Sequence, residues 1–329
     1  MHRSGTSLAA ELLVKLGGFT RERLLEGNQY NPRGYWEDAG IVALQDRILA
    51  ACDRSWGSRQ SFLPMPEGWL DAQEMDSLRV ELEAQILSGL GDARAARAPW
   101  IVKDPRVCRL LPLWRQIAAR QGIRLAVVLS VRAPAAVAAS LEQRDRLPAP
   151  VGRLSWLVNH VDLLKQGDGL IAGCVSYDRW FTEAPGQAGV LVSAAGLPRT
   201  RSEVEEAVAS IVTPEFRHHH KVLGEGMADR LFAELDRWAE TGRRPDRLDE
   251  LSEMAGATLA DLAAWVDSIN DPHVLGESLE AQLDEFRTAY LASAERADEL
   301  QSLVWRLRGP LALLRAGRRV LRPAGSRRN

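Results

Sequence analysis

Residues 124–144, RLAVVLSVRAPAAVAASLEQR, join an apolar strand pattern to a helix pattern through an arginine. The first part is nearly all apolar, which is typical of a parallel strand covered on both faces. Pro134 suits the first turn of the helix that follows. Arg132 at the strand end and Ser140 two helical turns later can both reach one phosphate group, and Arg144 lies one turn beyond on the same face. Taken alone, the segment also fits a solvated helix start with a surface arginine.

Two further segments have the same strand-to-helix character. WIVKDPRVC at residues 100–108 predicts a short buried strand, and IAGCVSYDRW at 171–180 predicts a third strand. Helical spacing surrounds them, near residues 39–51 and again over 70–90. Strands that alternate with helices predict an α/β protein whose parallel sheet binds ligands at the carboxyl ends of its strands.

The amino end of the chain carries a second candidate anion site. RSGTS at residues 3–7 leads into an amphipathic helix pattern that Gly17 and Gly18 end. A P-loop that binds ATP has a lysine after its last glycine, whereas here Arg3 precedes Gly5. The backbone N–H groups of residues 4–7 can still bind an anion at a helix start, and Arg3 can add a forked contact. An ordinary Ser/Thr N-cap is the simpler alternative for this segment alone.

Composition narrows the class of protein. The 329 residues are 46% apolar and 26% charged with a formal net charge of −2, so we expect an ordinary globular protein with no nucleic-acid partner. Cys52, Cys108 and Cys174 are far apart, which predicts neither a disulfide framework nor a zinc site. No apolar run reaches membrane-span length and residues 1–20 do not resemble a signal peptide, so the expected location is the cytoplasm. RHHHK at 217–221 is expected to be a basic edge rather than a metal site.

Together these motifs resemble the sulfotransferase superfamily, whose members use 3′-phosphoadenosine 5′-phosphosulfate (PAPS). RSGTS resembles the family's 5′-phosphosulfate loop, and VRAPAAVAASLEQR its 3′-phosphate segment. With NPRGYWE, WIVKDPR and VSYDRW, the chain is similar to bacterial members related to the tyrosylprotein and carbohydrate branches. The resemblance covers roughly residues 1–222 and implies a P-loop NTPase-like α/β fold, a parallel sheet flanked by helices.

The resemblance also implies roles for individual residues. Its nucleotide-binding set would be Arg3, Ser4, Gly5, Thr6, Ser7, Arg132, Ser140, Arg144 and Tyr177. The implied catalytic set is Arg3 on the bridging oxygen, Lys103 on the sulfuryl group and Glu37 as base for the acceptor. Since a sulfuryl group carries less charge than a terminal phosphoryl group, no metal is expected.

Several of these roles have alternatives. Asp38 is the nearest rival base, His2 and His160 are weaker ones, and Glu37 could instead pair with Arg33 in a rigid turn. Asp104 is expected to orient Lys103 or to cap a turn. Arg106 is either a second cation at the sulfuryl group or a structural ion-pair partner, and Tyr177 could equally be a core tyrosine.

The expected activity is sulfuryl transfer from PAPS to a hydroxyl or amine of a saccharide, a glycolipid or another small acceptor, with Trp56 and Trp69 in the acceptor pocket. A non-catalytic nucleotide-binding scaffold is the first alternative. A small-molecule kinase on the same fold is the second, and the missing Gly-Lys-Ser/Thr sequence argues against it.

The predicted organisation has three parts. Residues 1–222 form the α/β domain, 223–275 a helical segment, and 276–329 a C-terminal helix or coiled coil with a basic tail. The last part is expected to self-associate, and its basic end offers peripheral membrane contact as a further option. Because a phosphate loop joins a buried strand to a helix, we also expect an apolar strand upstream of Met1.

Overall fold

The computed structural model describes residues 1–56, 60–213 and 224–270, with only the backbone for the last two. The chain divides into two compact units, Met1–Val266 and Asp267–Asn329, and only the end of one helix is described in the second. The RHHHK sequence and the predicted coiled coil of residues 276–329 lie outside the described residues.

Within the described part of the chain the protein is α/β and mostly helical, with one small parallel sheet. Two short 3₁₀ turns, Trp69–Asp71 and Asp178–Phe181, accompany the main elements. In chain order those elements are α1 (Thr6–Lys15), α2 (Ala39–Ala51), α3 (Met75–Ala95), α4 (Val107–Arg120), β1 (Val127–Val131), α5 (Pro134–Asp145), α6 (Ala149–Gln166), β2 (Ile171–Ser176), α7 (Ala184–Ala195), α8 (Arg201–Ile211), α9 (Met227–Thr241) and α10 (Arg247–Asn270).

The sheet pairs β1 with β2 in parallel, with Leu129 opposite Cys174. Helices α5 and α6 connect the two strands, so this part of the chain is a βαβ unit. The sequence predicted both strands and the helix that begins at Pro134, and the structure confirms these three elements. The helix predicted over 39–51 is also confirmed as α2.

Side-chain alternation along the strands separates two groups of helices. Val128 and Val175 pack with α1, α7 and α8 in a core that includes Leu12 and Trp180. The side chain of Cys174, which precedes Val175 in β2, points to the opposite face of the sheet. Its Sγ lies 3.4 Å from the carbonyl oxygen of Leu235 in α9. Helix α9 contacts both strands, and α6 packs against α4, α5 and α9.

The strand predicted within residues 100–108 is wrong. The backbone there forms a single parallel bridge, between Trp100 and Phe19, and α4 already begins at Val107. A strand needs a partner along its length, and in the described residues β1 pairs only with β2. Residues 100–103 therefore remain extended without becoming part of the sheet.

Candidate functional site

The loop before α1 has the geometry of an anion cradle. Gly5 is the N-cap of the helix with a φ of 81°, a left-handed conformation that favours glycine. The first backbone bond into the helix runs from the N–H of Ala9 to the Gly5 carbonyl at 3.2 Å, so the earlier N–H groups project from the helix start. The Ser130 hydroxyl donates to the carbonyl of Ser4 at 2.6 Å and fastens the loop to the end of β1.

Two segments far apart in the sequence meet at this loop. Arg3, in the loop before α1, donates from Nε to Ser140 Oγ of α5 at 2.8 Å, across 137 residues of sequence. Arg132 in turn donates to the carbonyl of Arg3 at 3.1 Å. RSGTS and the segment after β1 are therefore in contact, which the alternative of a surface arginine at a solvated helix start does not predict. Arg132 is only 3% exposed.

Tyr177 joins the same cluster from the end of β2. The Arg132 guanidinium carbon lies 3.9 Å from the centre of the Tyr177 ring. A Cβ atom added to Gly5 would lie 3.0 Å from Tyr177 Cδ2, so the loop packs directly on this ring. Tyr177 is buried, yet it contacts the loop and the arginine rather than only the apolar core.

The cluster is electropositive. Burial lowers the pKa of Arg3 from its ordinary value, and the charge of Arg144 lowers it further. Burial also lowers the pKa of Arg132, with a smaller contribution in the same direction from Arg3. Arg144 holds Asp145 through two bonds of 2.7 and 2.6 Å and still acts on Arg3 from nearby. A bound anion would stabilise all three cations.

Glu37 lies in a second, adjoining cluster. Its buried carboxylate is bonded to Lys103 Nζ and lies 3.3 Å from Arg106. Burial lowers the pKa of Lys103, and Glu37 opposes this shift. Asp104 accepts from the Arg106 N–H at 2.9 Å and from Gln45 at 2.7 Å, which confirms its predicted role in capping a turn. Burial raises the pKa of Asp104 despite the Arg106 charge.

The structure decides one alternative for this region and gives Asp38 a structural role. Arg33 pairs with Glu11 and donates to the Ile211 carbonyl, so the alternative in which it pairs with Glu37 is wrong. Asp38 accepts from the N–H groups of residues 40 and 41 at 2.8 and 3.1 Å as the N-cap of α2. Asp38 therefore has a structural role that Glu37 does not share.

The two histidines lie in different surroundings. The His2 ring is 4.2 Å from the Trp56 ring, and burial lowers its pKa well below the ordinary value, with further lowering by Arg106 and Arg144. His2 therefore lies beside both charged clusters. His160 stacks on Trp156 and contacts its carbonyl oxygen at 2.7 Å, so it is a core residue.

Sequence reasoning missed two residues that hold the loop. One is Ser130, whose hydroxyl donates to the Ser4 carbonyl. Ser130 is the one polar residue of β1, and a single polar residue in an apolar strand could have indicated this contact. The other is Asn31, whose amide nitrogen donates to Ser7 Oγ at 3.1 Å and to the Gly34 carbonyl at 2.7 Å. No local sequence pattern indicates that the NPRGYWE turn contacts Ser7.

Comparison of the chain with protein-family models, with curated protein sequences and with solved structures found no match. Over the described residues, no helix is long and apolar enough to cross a membrane. The same residues contain no group of three or more His, Cys, Asp or Glu side chains arranged to hold a metal ion.

Proposed function

We propose that this protein is a PAPS-dependent sulfotransferase and that its parallel strand pair belongs to a P-loop NTPase-like sheet. The observation that carries the proposal is the hydrogen bond between Arg3 and Ser140, together with the bond from Arg132 to the Arg3 carbonyl. Two segments with anion-binding chemistry, each ambiguous alone, lie side by side. A nucleotide with phosphate groups at both ends requires such a pair of sites.

The charges of the residues present fit an anionic nucleotide such as PAPS. The left-handed Gly5 packs directly on Tyr177, and the loop N–H groups at the start of α1 are of the kind that bind a phosphate. In this proposal Arg3 and residues 4–7 bind the 5′-phosphosulfate, while Arg132, Ser140 and Arg144 bind the 3′-phosphate. Tyr177 packs beside the nucleotide under Arg132.

The second cluster supplies the transfer chemistry. PAPS provides the sulfuryl group, and the protein must position it, stabilise the leaving phosphate and remove a proton from the acceptor. Lys103 pairs with Glu37, and its side chain is 9% exposed. We propose that Lys103 turns from Glu37 to the sulfuryl group, which leaves a Glu37 oxygen to accept the acceptor's proton.

A direct test measures binding before catalysis. Titration calorimetry with PAPS, with adenosine 5′-phosphosulfate and with ATP compares the three nucleotides. We expect PAPS to bind most tightly, since only PAPS has both the 3′-phosphate and the phosphosulfate. Transfer of label from radiolabelled PAPS to saccharide and glycolipid acceptors then tests catalysis. Tighter binding of ATP would instead favour a kinase.

The ion pair also favours a second candidate, a nucleotide-binding scaffold without catalysis. Glu37 is 4% exposed and already engaged by two cations, so as the structure stands it has no open position for an acceptor hydroxyl. PAPS binding of normal strength without transfer to any acceptor would support the scaffold. Release of label to an acceptor would eliminate it.

A further inference from the structure

A large cavity lies against the sheet, and Lys103 and Asp104 of the second charged cluster are among its lining residues. Its volume is about 480 Å³, and mostly apolar side chains line it. An apolar cavity of roughly 150 Å³ is already large enough to hold a benzene molecule. The lining comes from four helices, through Leu13 and Leu191 of α1 and α7, and Leu111 and Leu163 of α4 and α6.

One wall of the cavity is the outer edge of β1. The N–H of Val127 donates to Leu170, and the carbonyl of Val131 accepts from Tyr177, so alternate residues of β1 direct their backbone groups to β2. By alternation, Val128 and Ser130 direct theirs to the other edge, and both residues line the cavity. No strand pairs with that edge anywhere in the described residues.

The extended segment of residues 100–103 forms a second wall. The Ile101 N–H donates to the Phe19 carbonyl at 2.8 Å, and the Phe19 N–H donates to the Pro99 carbonyl at 2.9 Å. Trp100 and Val102 therefore direct their backbone groups away from Phe19, and both line the cavity. An apolar small molecule would leave these backbone groups without partners, whereas a β-strand can bond to both walls.

Met1 shows where such a strand would connect. Its side chain lines the cavity, and its amino nitrogen lies 3.3 Å from the Sγ of Cys108, another lining residue. The loop that follows Met1 is bonded to the carboxyl end of β1 through Ser130 and Arg132. A strand that runs through the cavity into Met1 would therefore be parallel to β1.

We propose that the cavity holds one apolar β-strand, parallel to β1, formed by residues joined to the amino group of Met1 in a longer form of the chain. With this strand in place, residues 100–103, the added strand, β1 and β2 become neighbours in one sheet. Because the added strand is part of the fold, its presence can be tested without nucleotide.

The test compares extensions fused directly to Met1 of the full chain. One extension is a Val/Ile-rich strand of about six residues that ends in glycine. The matched control has the same length but carries Pro and Asp at its centre, since proline cannot complete a sheet ladder. The readouts are the alkylation rate of the Cys108 thiol, followed by mass spectrometry, and the thermal unfolding midpoint.

We expect the apolar extension to slow alkylation of Cys108 by at least about tenfold, because the strand covers the thiol. We expect it to raise Tm by at least about 5 °C over the unextended chain, and the control extension to do neither. Equal behaviour of the two extensions would overturn the proposal.

A second measurement covers the case in which the apolar extension is insoluble. The same strand, made as a synthetic peptide with terminal lysines, is added to the unextended chain, and protection of Cys108 is measured against the Pro/Asp peptide. Failure of the apolar peptide to protect would count against the proposal. Anilinonaphthalene sulfonate binds apolar cavities, so a strand in the cavity should exclude it. Equal binding of this dye by the extended and unextended chains would overturn the proposal and would assign the cavity to a small apolar ligand.

Discussion

Replacing Arg132 with alanine tests whether this residue binds the 3′-phosphate of PAPS. In the structure this buried guanidinium donates to the Arg3 carbonyl at 3.1 Å and lies 3.9 Å from the centre of the Tyr177 ring. A charge-assisted hydrogen bond contributes about 1.5–3 kcal/mol, so the loss of one to the 3′-phosphate should weaken PAPS binding about ten- to a hundredfold. Adenosine 5′-phosphosulfate lacks that phosphate, so its affinity should fall only a few-fold. That smaller loss is expected because Arg132 no longer holds the Arg3 carbonyl.

The assay is calorimetric titration of both nucleotides against the wild type, Arg132→Ala and a matched control. Arg199→Ala is that control, because Arg199 also donates to a backbone carbonyl, that of Leu16 at 2.6 Å, but at the other end of α1. It should leave both affinities unchanged. Equal losses for the two nucleotides in Arg132→Ala, or a comparable loss in Arg199→Ala, would refute the assignment. Thermal unfolding of each variant shows whether the fold is retained.

Four further predictions concern other residues. Glu37→Gln should reduce turnover by roughly 10²–10⁴-fold if Glu37 is the base. It should also lower the free energy of unfolding by about 3–5 kcal/mol, because it leaves Lys103 without its carboxylate partner. Adding Lys103→Met should restore much of the stability in urea unfolding but not the turnover. Gly5→Ala should lower stability by about 1–3 kcal/mol and weaken PAPS binding, since the residue is at φ 81° and its new Cβ would press on Tyr177; normal calorimetric affinity and Tm would contradict this. Burial lowers the pKa of His160 to about 3, so below pH 6.5 the unfolded chain binds more protons than the folded chain. The free energy of unfolding should therefore fall as the pH drops from 6.5 toward 3, by about 3 kcal/mol at pH 4.5. In urea unfolding, His160→Leu should remove this pH dependence. Deleting residues 276–329 should reduce both oligomer size and liposome binding, and no change in light scattering or in vesicle sedimentation would dismiss the predicted roles of that segment.

Local sequence determined much of the secondary structure. The apolar run before Arg132 and the proline after it were enough to predict β1 and α5, because a buried parallel strand and a helix start each leave a short-range pattern. The sequence likewise predicted a turn at residues 3–7 that leads into a helix, and Gly5 is the N-cap of α1. Side-chain chemistry and local spacing carry this information directly.

Tertiary structure decided how these parts combine. The bond from Arg3 to Ser140 and the pairing of Glu37 with Lys103 join residues that no local pattern connects, since such contacts depend on how helices pack. Asp38 and Glu37 are adjacent carboxylates in the sequence, yet one caps a helix and the other is buried between two cations. The segment at 100–103 shows the limit most plainly. Its apolar sequence permits a strand, but a strand forms only when a neighbour supplies hydrogen bonds along its length, and sequence alone does not place that neighbour.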